Sequence, residues 1–149
     1  MIKTDLTQEV KKLKIISMAL IFGTASTVGI IIFLLLGMEV KMELAADEQN
    51  LMFMMFLGLS IFSFGGAYLL PNIFQKKIEF EKDENKRLSI YRSSLLIKMA
   101  CYEVSAIFAA ICFWFTGQYL VLIISALALY MQYTNIPDED KVKNAIKIG

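Results

Sequence analysis

The sequence predicts an all-α membrane protein: four transmembrane helices forming two antiparallel hairpins, with the N and C termini cytoplasmic. Three observations predict it. Of the 149 residues, 57% are hydrophobic. They gather into four apolar runs, residues 15–36, 51–70, 93–116 and 119–134, each near the roughly 20 residues that a bilayer's hydrocarbon core requires. Fourteen of the fifteen Lys and Arg lie before the first run, between or just inside the second and third, or after the fourth, and Lys41 alone lies on the other side. That asymmetry puts both termini and the middle connection in the cytoplasm. Finally, only Gly117-Gln118 separates the third and fourth runs, and so short a link makes them an antiparallel hairpin.

Composition bounds the chemistry. The net charge is +1, so no nucleic-acid partner is expected. There is no His. Cys101 and Cys112, eleven residues apart on one helix, stand about 16 Å apart along its axis, beyond disulfide reach. No metal site and no cofactor are therefore expected. Residues 1–149 read as one integral membrane domain. The first run is longer than a signal-peptide core and is followed by Gly37-Met38-Glu39 rather than a small-x-small cleavage site, so it should remain as an anchor.

In chain order, residues 1–14 read as an interfacial amphipathic helix. Asp5 and Gln8 are a capping pair, and Ile2, Leu6, Val10 and Leu13 form an apolar stripe opposite Lys11, Lys12 and Lys14. The first span carries Ala25 and Gly29, and Gly23 and Thr27, at the small-xxx-small spacing that admits a neighbouring backbone. The second span is bulky at its outer half and small at its inner half (Ser60, Ser63, Gly65, Gly66, Ala67), and Pro71 ends it. Residues 72–92 form a charge-laced cytoplasmic connection in which Asp83 and Arg87, at i,i+4, support some helix. After the fourth span, residues 135–149 form a cytoplasmic tail. There Asn135, Pro137 and the acids Asp138, Glu139 and Asp140 look like a cap, first position and first turn of a short helix. Val142 and Ile146 would face the membrane or the protein body.

The third span holds one carboxylate, Glu103. Burying such a group costs roughly 2.5–3.5 kcal/mol on insertion scales and marks a candidate site. Counted inward from Thr116, Glu103 lies about 9 Å inside a ~30 Å hydrocarbon core, or about 3 Å inside if the bilayer thins to the short fourth span. Lys98, five positions earlier, points elsewhere and snorkels to headgroups. At the depth of Glu103 come Gly23 and Thr24, Gly65 and Gly66, and Gln132 and Tyr133. The small residues, with Ser105 and Ala109 on the same span, allow close packing. Thr24, Gln132 and Tyr133 can hydrogen-bond the carboxyl, as an ion-binding set would.

The residues Glu103-Val-Ser-Ala-Ile-Phe-Ala, with Ala100 and Cys101 before them, resemble the carboxylate-bearing helix of the proteolipid c subunits of rotary ATPases. That resemblance implies a ring-forming protein in which Glu103 would carry H⁺ or Na⁺. Here the carboxylate sits on the first helix of its hairpin rather than the second. The whole chain, with its Ile-Lys-x-Ala-x-x-Glu core and acidic–basic tail, is similar to small four-helix membrane proteins of Bacteroidota, which implies a multi-pass protein of a bacterial inner membrane. Two readings stay open. One is a non-enzymatic subunit that self-associates or joins other membrane subunits, in contact with the lipid bilayer. The other is an ion-binding or ion-conducting protein using Glu103. An enzyme is not expected, because Ser105, Tyr102 and Tyr130 lack a base to pair with.

Overall fold

The computed structural model describes residues 3–37 and 45–146, with side chains from Leu6 onward in the first segment. Ile2 and the 38–44 connection with Glu39, Lys41 and Glu43 lie outside the described residues. The described chain is helical throughout: α1 (Lys3–Gly37), α2 (Ala46–Phe80), α3 (Glu84–Thr116), a 3₁₀ turn (Tyr119–Val121), α4 (Leu122–Thr134) and α5 (Glu139–Ile146). At 35, 35 and 33 residues, α1 to α3 are each about 50 Å long and outrun a hydrocarbon core of about 30 Å. These three are long and apolar enough to cross a membrane. The fourth run, Tyr119–Thr134, is shorter and turns by 81° into α5.

The helices extend beyond the expected spans, with identifiable causes. Residues 3–14 are not a separate element but the start of α1, since no breaker separates Lys14 from Ile15. Asp5 therefore sits inside a helix already begun. Pro71 does not stop α2, which runs through it to Phe80. Proline forfeits one backbone bond, and membrane helices tolerate that loss, while Ile78 is buried beyond it and holds the extension in place. The 72–92 connection reduces to two helix ends and the turn 81–83. Glu81 Oε1 accepts the backbone N–H groups of Lys82 and Asp83 at 3.0 and 3.1 Å. Asp83 caps α3 by accepting from Asn85 N at 2.9 Å. At the far end, Gly117 takes φ 64° and its N–H closes on Phe113 O at 2.8 Å, a left-handed cap that favours glycine.

The tail is capped three residues later than its sequence suggests, at Asp138 rather than Asn135. Asp138 Oδ1 accepts Lys141 N at 2.7 Å and so starts α5. Asn135 instead closes α4. Its Oδ1 receives Lys98 Nζ at 2.6 Å, so Lys98 turns to the end of α4.

Contacts fix the arrangement around α3. Ser60 meets Ser105, and Phe53 meets Cys112, so α2 runs antiparallel to α3. Ser125 meets Ala106, and Gln132 meets Met99, so α4 is antiparallel as well. Leu6 packs with Leu88, Leu13 with Leu95, and Ile32 by Cys112, which makes α1 parallel to α3. The helices thus alternate in direction, as two hairpins would. The first pair is not packed as one, however, because α1 lies against α3 and α4 rather than α2. In its apolar window α3 is 44% buried, against 11% for α1 and for α2. It is the central helix.

Two kinds of core follow. In the apolar stretch, Val28, Ala67, Tyr102, Ala106, Ala110 and Ala128 pack together, and the four alanines let backbones approach where lipid offers no hydrophobic drive. At the end that carries both termini, Leu6 and Val10 pack with Leu88, Val142 and Ile146, and Leu13 with Leu95 and Met99. Leu6, Val10 and Leu13 of the amphipathic stripe therefore face the protein body, and so do Val142 and Ile146.

Candidate functional site

A polar seam runs along α3. Its lowest element is the side chain of Gln132, on the last turn of α4 and wholly buried. Gln132 Nε2 donates to Met99 O at 3.1 Å and to Thr24 Oγ1 at 3.3 Å. The Thr24 hydroxyl in turn donates to Leu20 O at 2.9 Å. One side chain of α4 thereby ties α1 to α3. Higher up, Ser125 Oγ donates to Ala106 O at 2.8 Å. On the opposite flank, Ser60 and Ser105 each donate to the other's backbone carbonyl, at 2.8 and 2.9 Å.

Among the described residues two buried side-chain polar atoms have no hydrogen-bond partner, Ser17 Oγ and Gln132 Oε1. An unsatisfied buried group costs about 1–3 kcal/mol.

Glu103 is half-buried on α3, and among the described residues no hydrogen bond or ion pair reaches its carboxylate. Of the residues expected around it, the structure brings Thr24 and Gln132 together, but with each other. Tyr133 is exposed. Gly66 lies by Cys101, with Cys101 Sγ 3.7 Å from where a Gly66 Cβ would stand. Ser105 and Ala109 are fully packed. By contrast Gly23, Gly29 and Gly65 have open space where a Cβ would go, and Ala25 is exposed. Those small residues face outward, away from the other described helices.

The seam residues that composition left unremarked, Ser17 and Ser125, carry a signal in their spacing. Ser17 and Thr24, Ser60 and Ala67, Ser105 and Cys112, and Ser125 and Gln132 are each seven residues apart, and all are buried. A small or polar residue recurring every seven marks the line along which helices cross at a shallow left-handed angle.

Among the described residues no group of three His, Cys, Asp or Glu could hold a metal ion. Compared with family models, with curated proteins and with solved structures, the chain has no match.

Proposed function

We propose that this chain is a non-enzymatic, multi-pass subunit of a bacterial inner membrane that assembles with copies of itself or with other membrane helices. In this reading α4 is the fourth span, and both termini face the cytoplasm with the Lys and Arg that flank the spans. The observation that carries assembly is the outward face of α1. Ala25 and Gly29, four residues apart on one face, make a notch bordered by Phe22 and Phe33, which are 78% and 74% exposed, and among the described residues nothing fills it. Small-residue notches are where membrane helices dock, because packing and not hydrophobicity drives their association. The test uses Gly29→Cys in a Cys101→Ser, Cys112→Ser background in native membranes. Oxidation should give a cross-linked species, and adding Ala25→Ile should abolish it. A chain that stays uncross-linked at Gly29 and at neighbouring outward positions would remove the reading.

A second reading, H⁺ or Na⁺ binding at Glu103, is favoured by one observation: a carboxylate within a membrane-length helix that has no partner among the described residues. The resemblance of its helix to the proteolipid c subunits points the same way.

A further inference from the structure

The Gln132 amide, with its orphaned oxygen, docks from α4 on the turn of α3 that runs from Met99 to Glu103, whose carboxyl has no partner among the described residues. Gln132 Oε1 is buried without a donor, and rotating the amide does not help. Its nitrogen is held by Met99 O, which would then face an oxygen. Thr24 cannot supply the donor either, because its proton goes to Leu20 O. In an α-helix the carbonyl of residue 99 also receives the N–H of residue 103, so the Gln132 amide docks on the turn that Glu103 closes. A helical side chain lies back over the turn N-terminal to its own Cα, which carries the Glu103 carboxyl toward Met99 O and the amide head beside it.

We propose that Glu103 holds a proton and that its carboxylic O–H donates to Gln132 Oε1, making the two side chains a proton-binding site at the junction of α3 and α4. The proton supplies the missing donor and removes an uncompensated charge in one step. Among the described residues no other charged group faces it. From residue 15 to 37, α1 has no titratable residue, and from 51 to 75 α2 has only Tyr68, which is exposed. On α4 stand Tyr130 and Tyr133, also exposed. On α3 itself, Lys98 turns to Asn135, Cys101 lies toward Gly66 and Tyr102 packs edge-on against Phe64.

The inference deepens the second reading and does not depend on assembly. Failure of copies to associate would leave it standing, and its own failure would leave assembly untouched. The experiment uses the full chain in lipid nanodiscs. Glu103→Gln keeps a neutral donor and should preserve the melting temperature, whereas Glu103→Met lacks one and should lower it by about 2–4 °C. In a Gln132→Leu background that difference should vanish. Infrared spectra at neutral pH should show a protonated-carboxyl band that Glu103→Gln removes. Equal melting of the two Glu103 variants, a difference that survives Gln132→Leu, or a Glu103 signal of ionised carboxylate alone would each overturn the proposal. Should Gln132→Leu fail to fold, the Gln and Met comparison and the infrared band still decide it. A carboxyl band that disappears on adding Na⁺ would overturn the proton in favour of a cation.

Discussion

Ser60 and Ser105 hold α2 and α3 together by exchanging hydroxyl protons with each other's backbones. Ser60 Oγ lies 2.8 Å from Ser105 O, Ser105 Oγ lies 2.9 Å from Ser60 O, and the two hydroxyl oxygens are 3.1 Å apart. Only small side chains let two backbones come this near. In lipid the bonds are worth keeping, because water is not there to replace them. The contact lies along the packing between α2 and the central helix, above and below which Phe56 meets Phe108 and Phe64 meets Tyr102.

Ser60→Ala and Ser105→Ala should each destabilise the fold by about 0.6 kcal/mol, and by no more than about 1.7 kcal/mol, the range for interhelical bonds in membranes. The double variant should cost less than the sum, because the pair acts as a unit. Reversible unfolding in mixed micelles measures all three.

Ser17 predicts the opposite sign. Its hydroxyl is buried on α1 without a partner, so Ser17→Ala removes an unsatisfied donor at little cost in volume. The variant should match or exceed the parent in stability, by up to about 1 kcal/mol, in the same unfolding measurement.

Arg87 clamps the tail. Its Nε donates to Glu81 O in the α2–α3 turn, and its Nη1 donates to Ile146 O at the end of α5, 3.2 Å away. A cation there also complements the negative end of that helix. Arg87→Ala should release α5, raising amide exchange and protease cleavage across residues 139–146 while exchange in the apolar core of α3 stays unchanged. Arg87→Lys should restore protection only in part, because a single ammonium cannot span both carbonyls with the geometry of a planar fork.

The same tail should respond to acid. A hydrogen bond from the Thr7 side chain, and secondarily Lys143 with its Nζ 3.5 Å away, hold the Glu139 carboxyl below the usual carboxylate range. A carboxyl depressed in the folded chain stabilises it fully above the ordinary carboxylate range and loses that contribution as pH falls through the lowered value. Exchange protection of α5 should therefore weaken at acid pH. Thr7→Val should reduce that dependence, with Lys143 supplying what remains.

Much of this fold is legible in the sequence because apolar runs, basic flanks and the Gly117 turn act locally. What is not legible depends on who packs against whom. Leu6, Val10 and Leu13 form the same stripe whether lipid or protein covers it, and only the arrival of Leu88, Val142 and Ile146 decides for protein. Pro71 reads as a stop because its local cost is visible while the burial of Ile78 beyond it is not. Glycine is the most misleading signal. Gly66 packs near Cys101, yet Gly23, Gly29 and Gly65, equally small, face open space. At the candidate site the place of Glu103 within a long apolar helix follows from counting residues. That Gln132 gives its amide to Met99 and Thr24 follows from the side on which α4 docks.

Assembly is the central claim, and the mass of the chain taken directly from native membranes into lipid nanodiscs tests it most directly. A particle holding several 16.9 kDa chains, or one chain with a second membrane protein, and falling to a single chain on Ala25→Ile with Gly29→Ile, is the predicted result. One chain per particle at every expression level, unchanged by those substitutions, would contradict it.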